Sequence, residues 1–415
     1  MPLIMLGFCC SYLDRGNVGM AALTMNHDLG FSNAVFGFGA GVFFLGYFLA
    51  EIPSNLMLNK IGARRWLARI MLTWGLIAGL GAFVWNEWSF YGARILLGLA
   101  EAGYFPGVML YLTWWFPSYY RTRMVALVNS ATLIANIIGP PIGGLLLHMD
   151  GMAGLHGWQW LFLIETVPSL IMAVVLWNLL TDRPEQAAWL RPDQRTWLAE
   201  RLASERAQRE AVHKFSLGEA FSNPKMSLLT LAYFALQVAG YTLVFFMPLV
   251  VRGLGVSTDW VGLVSGLPFL GALVAMNYWS WHSDSTGERL WHVTGACLLS
   301  SAGLAACVLI GEGHPVLTMV ALIVAAMGHY SDQSTFWSLP TSMLTGTAAA
   351  AGFALINSIG NLGGWLGPFL YGVVKDATGS TELGLLCLAL APVIASICIL
   401  LAGHDRRLER IPSRG

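Results

Sequence analysis

Apolar stretches of about 20 residues recur along nearly the whole chain, separated by short polar breaks. Roughly 20 apolar residues is the length an α-helix needs to cross a bilayer core, where every backbone N–H and C=O must be paired within the protein. A chain built from such runs folds as an all-α polytopic membrane protein. Its charge content of 11% is far below the ~25% of soluble domains. A transmembrane barrel would show ~10-residue alternating segments instead, and the sequence has none.

The runs predict about twelve spans, at 2–23, 34–58, 67–86, 89–112, 124–148, 158–180, 224–250, 259–281, 292–310, 316–340, 350–374 and 383–403. The first lacks a basic leader and a small-x-small cleavage site, so it reads as a span rather than a signal peptide. One long polar segment divides the spans six and six. The expected organisation is an N-terminal six-helix half (1–180), a cytoplasmic linker (181–222) and a C-terminal six-helix half (223–415). The linker sequence "RPDQRTWLAERLASERAQRE" predicts a short surface helix after Pro192.

Lys and Arg set the orientation. Nineteen fall on one side, among them Lys60, Arg64, Arg65, Arg121, Arg123, Arg183, Lys214, Arg289 and Arg406. Arg252 and Lys375 fall on the other side, and the remaining two of the 23, Arg15 and Arg94, lie within spans. The basic side is expected to be cytoplasmic, together with both termini, in a bacterial-type inner membrane.

The two halves repeat one another. "LNKIGARRW" after the second span resembles "SDSTGERLW" after the eighth, pairing Gly62 with Gly287, Arg64 with Arg289 and Trp66 with Trp291. "NSATLIANIIGP" (129–140) matches "NSIGNLGGWLGP" (357–368) at nearly the same offset. Tandem membrane repeats characterise secondary transporters, whose site lies between the repeats near the midplane.

Several function classes are excluded. The charge balance of 23 basic and 23 acidic residues gives no reason to expect nucleic acid. The six cysteines lie in apolar runs without CxxC spacing, implying neither disulfides nor a metal. No Walker, GxSxG or His–Cys metal pattern is present, so neither an ATP-driven pump nor catalytic chemistry is expected. A polytopic membrane enzyme would need acid or His clusters at one interface, whereas the acids here fall mid-span.

Charges within the spans carry the functional reading, because each is costly unless it faces a partner or a cavity. Arg94 and Glu101 are seven residues apart, hence on one helix face and ~10 Å apart along it. Neither reaches the other, so each needs a partner elsewhere. Asp14 and Arg15 on the first span offer the complement, Asp14 with Arg94 and Arg15 with Glu101. Such a quartet is neutral, and one anion or one proton tips its balance. The plainer alternative is a fixed electrostatic clasp.

The stretches "YLDRGNVGMA", "EIPSNLMLNKIGARRW", "RILLGLAEAGYFPG", "YYRTRMVALVNS", "WQWLFLIETVPS" and "GTAAAAGFALINSIGNLGGWLGP" make the chain resemble the major facilitator superfamily, and within it the anion:cation symporter family. That branch includes proton-coupled carriers of galactonate, tartrate, phthalate and related acids. The superfamily's Asp-Arg loop pattern is degenerate here, with Asn59 and Lys60 in the first half and Asp284 followed by Ser285 in the second.

The resemblance implies Asp14 and Glu101 as proton sites, with Arg15 and Arg94 serving charge balance and anion recognition. It also implies that Tyr47, Ser334, Trp337 and Asn357 line the substrate cavity. Thr132 stands where the galactonate carriers use a Gln. Asn361 is open between the cavity and a helix contact. His329 and Asp332, three apart in the tenth span, are either a selectivity or second titrating pair or a packing pair. Glu51 and Glu165 read as structural.

The expected function is proton-coupled uptake of a small organic acid anion by alternating access. Aromatic-acid uptake or exchange is the alternative. The expected partners are the anion, protons and membrane lipid. The chain is expected to act as a monomer, with no cofactor beyond the proton as coupling ion.

Overall fold

The computed structural model describes residues 1–210, 224–311, 313–343 and 347–403. Residues 211–223 of the expected linker, with Lys214, lie outside the described residues, as do Arg406, Arg407, Arg410 and Arg414 of the orientation argument. Before residue 180 the chain forms α1 (Pro2–Leu29), α2 (Asn33–Ile61), α3 (Ala63–Leu80), α4 (Glu87–Glu101), α5 (Tyr104–Trp115), α6 (Ser118–Leu147) and α7 (Gly157–Leu179). A helix begins at Pro192 as its sequence predicts, α8 (Pro192–Glu210).

Beyond it come α9 (Pro224–Gly253), α10 (Thr258–Thr286), α11 (Leu290–Ile310) and α12 (Pro315–Phe336). The chain continues through α13 (Ser338–Met343), α14 (Thr347–Gly360), α15 (Gly363–Thr378) and α16 (Thr381–Ala402). Among the described residues, ten helical segments are long and apolar enough to cross a membrane. The predicted first and eleventh spans are not among them. The first carries Asp14, Arg15 and Asn17 mid-length, and the eleventh is broken.

Two predicted continuous spans are interrupted. The fourth divides between α4 and α5, where Gly103 adopts φ +85°. A side chain there would be strained and would also strike Ser54 of α2. Pro106, in the first turn of α5, lacks only an N–H that would be unpaired anyway. The eleventh span breaks between α14 and α15 within "GNLGG". Irregular backbone at membrane depth is tolerated where it lines a cavity or is buried in protein.

The sequence repeat has a structural counterpart. Gly62 and Gly287 both follow a helix and both take positive φ, +97° and +70°. Beside Gly62 the Asp182 carboxylate accepts the Arg64 backbone N–H at 2.7 Å. After Gly287, Arg289 pairs with Asp284 at 2.5 Å.

Helices α1–α7 face helices α9–α16. Away from the basic residues the two sets meet where small residues let backbones touch, Gly37 and Gly41 of α2 against α15 and Gly144 of α6 against Gly262 of α10. Asp376 of α15 accepts the Asn33 and Ala34 backbone N–H groups at 3.1 and 2.7 Å. Those donors open α2 and have no partner within the helix. His148 Nε2 lies 2.8 Å from Asp259 Oδ1. This end of the bundle is closed.

Candidate functional site

α1 places Asp14 and Arg15 on diverging directions, about 100° apart around a helix, and their side chains meet different partners. Arg15 turns to the C-terminal end of α4. Its Nε donates to Glu101 Oε1 at 2.9 Å and its Nη2 lies 2.7 Å from the same oxygen, to which Ser11 Oγ, one turn earlier, donates at 2.5 Å. Both side chains are buried, at 9% and 1% exposure. Glu101 Oε2 is buried with no partner.

Arg15 also links the two helix sets, its Nη1 donating to Tyr241 Oη on α9 at 3.3 Å. The guanidinium carbon lies 5.0, 5.2 and 5.4 Å from the ring centres of Tyr12, Phe43 and Tyr47. Such cation–π contacts suit a guanidinium. Tyr47, expected in the cavity, is therefore at this group.

The second expected pair does not form. Asp14 turns toward α3 and α7, where Oδ2 accepts Trp74 Nε1 at 2.5 Å and Ser169 Oγ at 2.8 Å. Its Oδ1 is buried and unpartnered. Arg94 turns toward α2, where Nη2 donates to the Ala40 carbonyl at 3.1 Å and the guanidinium carbon sits 5.2 Å from the Phe43 ring centre. Of the two adjacent residues on α1, Arg15 points at α4, while Asp14, about 100° around the helix, points at α3 and α7. Glu165, also buried with one unpartnered oxygen, shares the surroundings of Asp14 and Asn17.

Other expected positions scatter. Asn357 of α14 reaches α2, donating through Nδ2 to Glu51 Oε1 at 2.9 Å, and Ser358 Oγ donates to Glu51 Oε2 at 2.8 Å. Trp337 packs on Tyr233 and Phe353, with ring centres 4.9 and 5.6 Å apart. Ser334 is exposed and accepts from Ser280 of α10 at 2.8 Å. Asn361 makes a helix contact, its Oδ1 accepting Gln237 Nε2 at 3.1 Å.

Thr132 is half-buried. One turn further along α6, Asn136 bridges the two sets by donating to Tyr330 Oη at 2.8 Å. His329 packs where a side chain at Gly240 would stand. Asp332 is fully buried, 3.8 Å from His329, with both oxygens unpartnered. This pair is apart from the Arg15 group.

A small cavity between the sets is lined by Tyr12, Gly16, Asn136, Met247, Ser265 and Phe269. At about 20 Å³ it has room for one water, so an organic ligand would need the sets to part.

The sequence matches the description Major Facilitator Superfamily over residues 4–368. The chain belongs to that superfamily. A protein of Agrobacterium vitis named "Putative tartrate transporter" is 49% identical over 406 residues, covering 98% of this chain and 90% of the relative. One of Pseudomonas putida, named "Putative metabolite transport protein NicT", is 41% identical over 388 residues, covering 93% and 88%. Among solved structures, a bacterial homologue of the human lysosomal transporter Spinster, inward-facing and unoccupied, superposes with a TM-score of 0.79 at 16% identity, covering 99% of this chain and 98% of the other. At that identity the likeness concerns the fold alone. The major facilitator chain described here is an integral, multi-pass membrane transporter and not an enzyme.

Proposed function

We propose that this transporter imports a small organic acid anion, of the tartrate type, together with protons. The observation that carries the reading is the buried Arg15–Glu101 pair, set at a helix break and tied to the facing helices through Tyr241. Discontinuous helices with ionisable groups between two repeats are how secondary transporters build a midplane site. The names of the relatives support the same cargo class.

The chemistry follows from the donor set. Arg15 presents a planar fork suited to a carboxylate, at present held by Glu101. An arriving substrate carboxylate competes for that fork. Glu101, left in a dry site without its countercharge, then takes a proton on Oε2. Proton release to the other side returns Glu101 to Arg15 and expels the anion. Asp14 is the second proton position, through its unpartnered Oδ1, and Arg94 balances charge without touching it. The moving bodies are the halves 1–180 and 223–415, joined by the linker 181–222. Both termini are cytoplasmic in an inner membrane, and the monomer suffices, since the site lies within one chain.

A monoanion entering with one proton moves no charge. With two protons it exploits the membrane potential, worth ~2.3 kcal/mol per charge per 100 mV. Reconstituted protein is expected to accumulate tartrate when the outside is acidic. Uptake indifferent to the proton gradient would refute the coupling. The rings of Tyr12, Phe43 and Tyr47 around Arg15 favour a second reading, an aromatic acid. Competition of phthalate with tartrate decides between them.

A further inference from the structure

Glu51 is an ionisable residue inside a span whose partners do not belong to its own helix set. Its carboxylate is buried at 3% exposure. Oε1 accepts Asn357 Nδ2 and Oε2 accepts Ser358 Oγ, at 2.9 and 2.8 Å, both donors on α14. The nearby cation is Arg15, whose fork is already taken by Glu101. A structural acid of α2 would find its bonds among α1–α7. This one is satisfied by two neutral donors reached across the interface, on the side of Tyr47 nearer the basic end.

The donors are the Asn-Ser opening of the repeated "NS…GP" motif. Adjacent on α14, they straddle the carboxylate, one on each oxygen. The close glycine crossings of α2 with α15 lie at Gly37 and Gly41. Beyond them, toward the basic end, Glu51 is the described hydrogen-bonded link from α2 to α14. We propose that Asn357 and Ser358 form a carboxylate-binding site that Glu51 fills as a tethered ligand, holding α2 against α14 and closing the basic side of the central cavity. A free carboxylate taking these donors releases α2. The link to transport rests on the organic-acid reading above, with Asn357 in the substrate cavity as the family resemblance implies; the site itself does not depend on the cargo.

The test uses the full-length protein in nanodiscs with spin labels at Lys60 and Ser285, both exposed, after replacing Cys9 and Cys387 by Ala. Without ligand, Glu51→Ala is expected to lengthen and broaden the label distance, and Asn357→Ala with Ser358→Ala to do the same from the other side. Adding sodium acetate to wild type, but not sodium chloride of equal ionic strength, is expected to lengthen the distance toward that of Glu51→Ala. The variant lacking Asn357 and Ser358 is expected to ignore acetate.

Unchanged distances in both variants would overturn the latch. A wild type that acetate does not widen, or acetate acting equally without the donors, would overturn the carboxylate site. Should Glu51→Ala fail to fold, the donor variant still decides the latch, and wild type with acetate still decides the carboxylate site. No transported substrate enters these measurements, so failure of tartrate uptake and failure of this site are separate results.

Discussion

Glu101→Gln keeps the shape of the side chain and removes its charge, leaving the Arg15 guanidinium buried without a countercharge. Breaking a buried pair by removing one partner costs about 3–5 kcal/mol. Here Arg15 keeps Tyr241 Oη and three aromatic faces, and cation–π contacts of this kind return roughly 1 kcal/mol. The expected loss is therefore about 2–4 kcal/mol.

Replacing both residues, Arg15→Met with Glu101→Met, removes the desolvation penalty together with the attraction and is expected to fall near wild type. The assay is reversible unfolding in mixed micelles for wild type, each single Met variant, the Gln variant and the double variant, read as a double-mutant cycle. Single variants costing under about 1 kcal/mol, or a double variant costing the sum of the singles, would refute the reasoning. Proton-driven accumulation should be lost in all of them, since stability and function separate at this pair.

Arg15→Lys keeps the charge and loses the planar fork, so tartrate binding is expected to weaken about tenfold, roughly 1.4 kcal/mol; calorimetry giving wild-type affinity would count against the anion role. Gly41→Val would press into the Trp365 backbone at a cost of about 1–3 kcal/mol. It should open the end away from the basic residues, read as increased labelling of cysteines placed there, and unaltered labelling would reject the crossing as a seal.

The Asp259 carboxylate and the Gly144 carbonyl hold His148 above its ordinary value. The tie between α6 and α10 is thus fully present below about pH 6.5 and is lost as pH rises through the raised value. Spin-label distances at that end should lengthen with rising pH, and Asp259→Asn should flatten the response. A pH response that survives the substitution would assign it elsewhere.

The helical bundle was legible because span length is imposed by the bilayer and written directly in apolar runs. The repeat was legible because its motifs recur in order, and Gly62 and Gly287 each follow a helix at positive φ. Arg15 with Glu101 could be anticipated from the cost of isolated charges in lipid. Asp14 with Arg94 could not, because charge complementarity ignores direction, and Asp14 finds neutral donors in Trp74 and Ser169.

Those two donors, like Tyr241, carry no charge and so gave no signal in the sequence. Glu51 did give one, an acid one turn from Tyr47, but its partners lie about 300 residues away and no local pattern names them. The break after Glu101 was written in "AGYFPG", where Gly and Pro mark an interruption that hydropathy alone passes over.

In the proposed cycle Glu101 exchanges a proton as Arg15 changes partner, and proteoliposomes loaded with tartrate test that most directly. Wild type should concentrate labelled tartrate against its gradient when the outside is acidified, and should also exchange inner for outer tartrate without any pH difference. Glu101→Gln should retain the exchange and lose the pH-driven accumulation. Accumulation by the Gln variant at the wild-type level would contradict the claim, and so would a wild type that concentrates tartrate equally with no proton gradient.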